Sequence, residues 1–299
     1  HARIDFDKCI SCGKCVSSCP FGAVHKKSHI IDILKSMKEG KKVVAMLAPA
    51  IMGQLPCTPK QLKQAILSVG FSDVVEVAEG ADITTQHEAA EFAERMEKGD
   101  KFMTTSCCAG YNELVEKHVP ELKPFRSETK TPAYYTAEMI KKETPEAVTV
   151  FFSPCVAKRR EAMQNPNIDY VLNFEELGAW FIAMNIQVAE CDETEYRKES
   201  SAQASNFAVT GGVAGAVNSL LDEDKKAQQY IVDGLNKQSI RDLKKFAKNG
   251  SCEFGNLIEV MACPGGCLGG SSSINAYKPA LKQLTNYVNE SPEIKEVIE

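Results

Sequence analysis

The run CISCGKCVSSCP, residues 9–20, constrains this chain more than any other stretch, because it sets Cys9, Cys12, Cys15 and Cys19 in the pattern C-x2-C-x2-C-x3-C-P. A tight loop with this spacing carries three thiolates to three iron corners of a 4Fe-4S cluster. A zinc knuckle has no use for a fourth Cys-Pro at that offset, and a set of disulfides does not require such regular spacing.

The spacing is that of bacterial ferredoxins, where, in two-cluster members, the fourth cysteine of each run ligates the other cluster. Only one run is present. Cys19 therefore either closes this cluster itself or leaves the site to a cysteine from a second run upstream. The chain opens HARIDFDK, with neither an initiator Met nor the apolar stretch of a secretory leader. That favours the second arrangement, and with it a truncated ferredoxin-like segment over residues 1–27 whose cluster lacks a ligand.

Twelve cysteines in 299 residues would suggest disulfides in a small secreted domain, but a chain this long buries a core without staples. The formal net charge of -5 leaves no basic footprint for nucleic acid. The longest apolar run, Val43 to Gly53, is too short for a bilayer span and is interrupted by Pro49.

A second set of cysteines is scattered over TSCCAGY (Cys107, Cys108), FSPCVAKRRE (Cys155) and EVMACPGGCLGG (Cys263, Cys267). Each lies where an extended pattern runs out, since KFMTTSC, AVTVFFSPC and NLIEVMAC all end on the thiol. In open α/β sheets ligands collect beyond the carboxyl ends of the strands, so thiolates delivered from three such segments can converge on one buried cluster. Cys57, Cys191 and Cys252 read as small packing residues.

Between these segments extended and helical patterns alternate. KKVVAMLAPA has strand length, DVVEVAEG alternates like a strand, and TPKQLKQAILSVG has a Thr cap, helical spacing and a terminal Gly. Helical spacing recurs in TTQHEAAEFAERMEKGD, GYNELVEKHVPELK, TPAYYTAEMIKKE, FEELGAWFIAMN and SIRDLKKFAK. The alternation predicts an α/β fold of two mostly parallel-sheet lobes flanked by helices, with the thiol cluster between them.

Together the three segments resemble the signature of the FeFe-hydrogenases, the iron-only hydrogenases. TSCCAGY is similar to TSCCPxW, FSPCVAKRRE to MPCxxKxxE and EVMACPGGCLGG to ExMxCxxGCxxGG, in the same order and behind a ferredoxin run. The resemblance implies that residues 28–299 form the H-cluster domain. There Cys108, Cys155, Cys263 and Cys267 would hold a 4Fe-4S cluster, and Cys267 would bridge to a diiron unit carrying CO, cyanide and an azadithiolate. Lys158 matches the lysine that hydrogen-bonds one cyanide, Ala48 and Pro49 the pair beside the other cyanide and the dithiolate, and Met261 a pocket methionine. Cys107, the thiol kept off the metal, would relay protons to the dithiolate amine, with Glu88, Ser127 and Glu91 continuing the path outward.

The implied activity is reversible oxidation of dihydrogen, with electrons passing to a ferredoxin-like carrier, maturation proteins inserting the diiron unit, and a reducing cytoplasm as the compartment. Departures from the pattern are Ala109 for Pro, Tyr111 for Trp, Ser153 for Met, Ala133 for a pocket glutamine and Ser271 for the third glycine after Gly269 and Gly270. Changes of this kind tune a metal site without removing it and mark a divergent subgroup. They keep open a hydrogen sensor of low turnover; a separate alternative is a non-catalytic iron-sulfur scaffold without the diiron unit.

Overall fold

The strands that end on the cysteine segments are largely apolar, the pattern of strands covered on both faces. The computed structural model, which describes residues 3–298, has seven strands among these residues: β1 (Val43–Leu47), β2 (Asp73–Glu76), β3 (Met103–Thr104), β4 (Val148–Phe152), β5 (Tyr170–Leu172), β6 (Gln229–Asp233) and β7 (Leu257–Met261). They make two sheets, β2-β1-β4-β5 and β3-β7-β6, in which every strand pair is parallel. All five residues of β1, β4 and β7 are buried. The α/β architecture of two parallel-sheet lobes with flanking helices is thus as the sequence predicts.

Register decides where the strand ends meet. Leu47 lies opposite both Glu76 and Phe152, and Phe152 opposite Leu172. The carboxyl ends of the first sheet are therefore level, and they release Ala48-Pro49 and Ser153-Pro154-Cys155 side by side. In the second sheet Met261 pairs with Asp233, so the chain leaves β7 toward Cys263 at the matching end.

Local signals account for much of the helical framework. The helix Pro59–Val69 starts with a capping box between Thr58 and Gln61 and ends on Gly70 at a φ of 114°. Elsewhere tertiary packing prevails. The strand pattern of DVVEVAEG stops at Glu76, and Val77 already begins the longest helix, Val77–Glu97. Its first turns are buried through Val77, Ala78, Gly80 and Ala81, because they lie against the helix Pro132–Glu143. The pattern of GYNELVEKHVPELK breaks after His118, where Val119 takes a φ of -141° ahead of Pro120 and a 3-10 stretch follows. In KFMTTSC only Met103 and Thr104 form regular strand, although the Thr105 amide still bonds the Ile258 carbonyl at 3.0 Å. Strand β6 and the helices Gly212–Leu220 and Tyr277–Glu290 escape the sequence reading. Among the described residues no helix is long and apolar enough to cross a membrane.

The approach of the helices Val77–Glu97 and Pro132–Glu143 permits a direct test. A β-carbon on Gly80 would lie 2.2 Å from the Pro132 carbonyl oxygen, whereas one on Gly178, in the helix Phe174–Ala183, would meet nothing within 4 Å. Gly80→Ala is expected to destabilise by about 1–3 kcal/mol through overpacking. Gly178→Ala is expected to be neutral or stabilising by up to about 1 kcal/mol. Denaturant melts of the two variants check the contrast.

Candidate functional site

Four cysteine thiols meet between the lobes. Cys108 caps the helix Ala109–His118 and accepts the Ala262 amide at 3.4 Å, and Cys155 follows β4. Cys263 and Cys267 flank a turn in which Gly265 and Gly266 have φ values of 77° and 76°. A β-carbon at Gly266 would sit 2.7 Å from the Thr210 amide nitrogen, so this turn requires glycine. Burial pushes the Cys155 thiol up to about 11 and Cys263 to about 12, and holds Cys267 well above its ordinary value. Each is raised further by its neighbours, since Cys155 feels Cys108, and Cys263 and Cys267 both feel Cys108 and Cys155. Buried thiols grouped in this way become thiolates only beside a strong cation.

Among the described residues no three His, Cys, Asp or Glu side chains converge closely enough to hold a single ion. A tetrahedral ion with thiolate bonds of about 2.3 Å needs sulfurs about 3.8 Å apart. Four thiols that act on one another suit a cluster that supplies several metal corners of its own.

Beside the thiols is a cavity of about 80 Å³, walled by Ala48 and Pro49 from the end of β1, Ser153 and Cys155 from the end of β4, Cys107, Cys108, Ala133, Lys158 and Cys267. Phe207 and Ala208 also line it. No motif marks these two residues, because they arrive from a short turn far along the chain. Met261 packs with Ala78, Ala81, Phe207 and Val213 in a core cluster against which Cys107 and Cys108 also pack, and it does not itself line the cavity.

Lys158 is the fixed cation of this wall. Its Nζ donates to Glu161 Oε1 at 2.9 Å, to Oε2 at 2.8 Å and to the Cys107 carbonyl at 3.2 Å, while the Thr131 hydroxyl donates to Glu161 Oε1 at 2.6 Å. Burial pulls the lysine down, but Glu161 and the neighbouring thiols outweigh it and hold the pKa above its usual value.

Glu88 and Glu91 share one face of the helix Val77–Glu97, yet their environments push them apart. Glu88 is fully buried; its Oε1 accepts the Ser106 amide at 3.1 Å and its Oε2 has no partner. Burial raises its pKa to about 8, so it is mostly protonated at neutral pH. Burial also pushes Glu91 upward, but the Ser127 hydroxyl, the Glu128 amide, the Thr129 hydroxyl and Arg95 together hold it below the usual range. Ser127 Oγ donates to Glu91 Oε2 at 2.6 Å. It also lies near enough to ease the Glu88 carboxylate, although its hydrogen-bond geometry is with Glu91. Cys107 is the next buried group inward, its thiol raised by burial and then by Glu88. A protonated and an ionised carboxyl with a hydroxyl close to both can move a proton in either direction. Ser127, Glu128 and Thr129 line a polar cleft of about 900 Å³ at the outer end.

The N-terminal run sits against this site. Lys117 Nζ donates to the Phe6 and Cys9 carbonyls at 2.9 and 2.6 Å, Lys14 Nζ to the Leu235 carbonyl at 2.6 Å, and Arg159 Nη1 to the Lys27 carbonyl at 2.6 Å. Cys9 Sγ accepts the Ser11 amide and Cys19 Sγ the Ala23 amide, each at 3.3 Å. Cys12 is close enough to Cys263 to raise its pKa, and Cys15 is exposed. Cys57 and Cys191 pack against the core of the first sheet, and Cys252 against that of the second.

A model of the iron-only hydrogenase large subunit, C-terminal domain, matches residues 41–271. The chain belongs to the iron-only hydrogenase family. A 4Fe-4S binding domain matches residues 2–25, so the iron-only hydrogenase domain here follows an iron-sulfur segment. The hydrogenase subunit HndD of Solidesulfovibrio fructosivorans, named as NADP-reducing, is 29% identical over 88% of this chain and 55% of its own length. This chain thus spans about half of that relative. The cytosolic Fe-S cluster assembly factor narfl of Xenopus tropicalis is 22% identical over 97% of this chain and 75% of its own. The solved structure of a variant of FeFe-hydrogenase HydA1 from Chlamydomonas reinhardtii matches the fold with a TM-score of 0.72 at 19% identity, covering 91% of this chain and 92% of that one.

Within the iron-only hydrogenase pattern the departures spare the four thiols themselves. Ser153 and Ala133 line the cavity wall. Tyr111 is fully buried, its hydroxyl 2.7 Å from Thr104 Oγ1.

Proposed function

We propose that this chain interconverts dihydrogen with protons and electrons at an H-cluster, and exchanges those electrons with a ferredoxin-like carrier. The observation that carries the reading is that one cavity gathers Ala48 and Pro49, Cys107, Lys158 and Cys267 from four separate segments, next to three more thiols. The donor set fits the group. Cys108, Cys155, Cys263 and Cys267 would hold the 4Fe-4S part, Cys267 would bridge to the diiron part, and Lys158 supplies a buried cation for an anionic ligand such as cyanide. Bound there, the cofactor supplies the heterolytic chemistry of dihydrogen.

The chain's own residues handle the proton. At the cavity wall Cys107 gives up its thiol proton and is reprotonated by Glu88, which is protonated at neutral pH; in the other direction it takes up a proton as it passes its own to a Glu88 that has released one toward Ser127. Ser127 accepts a proton from Glu88 as it donates its own to Glu91, and Glu128 and Thr129, which bond Glu91, line the polar cleft. The apolar wall of Ala48, Pro49, Ala133 and Phe207 limits water at the reacting face. We assign residues 1–27, with Cys9, Cys12, Cys15 and Cys19, to a second 4Fe-4S cluster facing the carrier, and residues 28–299 to the H-cluster domain. A reducing cytoplasm supplied with maturation proteins suits these thiols.

The relative named as an Fe-S cluster assembly factor favours a second reading, a non-catalytic scaffold holding cubanes alone. Infrared spectra decide between the two readings. After maturation with a synthetic diiron complex, bands of metal-bound CO and cyanide are expected. A protein that takes up iron and sulfide yet yields no such bands would leave the scaffold reading in place and remove ours.

A further inference from the structure

Ser271, which stands where the family pattern closes on a third glycine, lies between the two cysteine systems. Its neighbours fix it there: the Gly270 amide bonds the Cys267 carbonyl at 2.9 Å and the Ser272 amide bonds the Pro154 carbonyl at 3.0 Å. The side chain projects against Gly13, between Cys12 and Cys15. A β-carbon on Gly13 would lie 2.1 Å from Ser271 Oγ, 2.6 Å from its Cβ and 3.0 Å from Val156 Cγ2. Gly13 also has a φ of 77°, so the loop and the serine fit together only because residue 13 has no side chain.

Ser271 Oγ is shielded from solvent and makes no hydrogen bond. A buried hydroxyl without a partner is unfavourable and calls for a group the polypeptide does not itself supply. The sulfurs of the N-terminal run are the acceptors at hand. Cys9 and Cys19 already accept amides from Ser11 and Ala23. Among the described residues no protein donor reaches the sulfur of Cys12 or of Cys15, and Cys15 is exposed to water. Cys12, partly buried and adjacent to Gly13, is left.

We propose that Ser271 is a positioning residue that donates its hydroxyl hydrogen to sulfur on the Cys12 side of the N-terminal 4Fe-4S cluster, the Cys12 thiolate or the sulfide next to it, and so raises that cluster's reduction potential. The proposal rests on the reading that residues 9–19 hold a cluster. A donor to sulfur favours the reduced form because that form carries more negative charge. In this chain, then, a serine in the H-cluster domain sets how readily the N-terminal cluster accepts an electron.

The test uses the whole chain, reconstituted anaerobically with iron and sulfide and titrated by electron paramagnetic resonance, so no diiron unit is needed. Ser271→Ala is expected to shift the N-terminal midpoint negative by about tenfold in the reduction equilibrium, which is 59 mV for one electron. Ser271→Thr, which keeps the hydroxyl, is expected to stay near the wild type, and the other cubane is expected not to move. Should alanine disturb cluster loading, Ser271→Gly removes the same hydroxyl from a loop already rich in glycine. An intact N-terminal cluster with an unchanged midpoint in the hydroxyl-free variant overturns the proposal, as does a shift confined to the other cubane. A wild-type protein with iron for only one cubane and a single signal overturns the underlying reading, and the proposal with it.

Discussion

Replacing Cys107 by alanine is expected to lower hydrogen turnover by about 10²–10⁴-fold, the contribution of one well-placed proton-transfer group, while the infrared bands of the matured protein persist. Cys107 lines the cavity but stands outside the four thiols assigned to the cluster. The backbone carbonyl of Cys107, not its thiol, accepts the Lys158 ammonium, so the thiol remains available to the cavity. Of the carboxyl groups that raise it, Glu88 acts more strongly than Glu259. Truncation should therefore cut the path without emptying the site. Turnover and infrared spectra measured on one preparation separate the two effects: a matured Cys107→Ala protein with wild-type turnover would remove Cys107 from the relay.

Glu88→Gln should cost turnover on the same scale, about 10²–10⁴-fold, since an amide keeps the shape but cannot pass a proton. This variant also carries a pH signature. The groups facing Glu88 are the Ser106 amide, Ser127, Glu91, Glu259 and Cys107; none is a cation, so burial dominates and lifts the carboxyl from 4.5 to about 8. A carboxyl raised on folding favours the folded state below its unfolded pKa, and this contribution is lost as pH rises toward the folded value. Between about pH 4.5 and about pH 8 the wild type should lose stability on this account, by an amount on the order of a few kcal/mol. Glu88→Gln should lose less over the same window. Denaturant midpoints of the cluster-free proteins at both ends of the window check the sign, and equal slopes for the two proteins would place the ionisation elsewhere.

Glu91 makes the opposite case and shows how far local pattern can be read. From the sequence, Glu88 and Glu91 are three residues apart on one helical face, with Arg95 a turn further, and a solvated salt-bridge stripe fits that spacing equally well. Half of that stripe exists, as Glu91 and Arg95 form an ion pair at 2.9 Å. Glu88 takes no part in it because its side of the helix turns under β3 and the Ser106 amide. Nothing in the heptad around Glu88 foretells a buried, half-unpartnered carboxyl; it follows from the packing of a segment 18 residues away.

The strand ends were legible for a different reason. Parallel strands buried on both faces must be largely apolar, so KKVVAMLAPA, AVTVFFSPC and NLIEVMAC announce themselves despite the buried Thr149 and Glu259, and each ends where its cysteine or Ala-Pro pair begins. The misread segment DVVEVAEG shows the limit of that rule. Alternation over a few residues suits a strand and the first turn of a buried helix alike, and only the neighbouring Pro132–Glu143 helix, pressed against Gly80, chose between them.

By itself the sequence determined the kind of chemistry: the spacing of Cys9, Cys12, Cys15 and Cys19, and the segments bearing Cys107, Cys108, Cys155, Cys263 and Cys267, because thiol spacing along a short loop is a local property that covalent geometry preserves. Only the tertiary structure decided which groups share a cavity, which carboxyl is protonated, that Phe207 and Ala208 wall the site while Met261 lies in the core behind it, and that Ser271 reaches Gly13 across 258 residues of chain. Burial and proximity between distant segments depend on how the two sheets and their helices pack, and no local pattern carries that information.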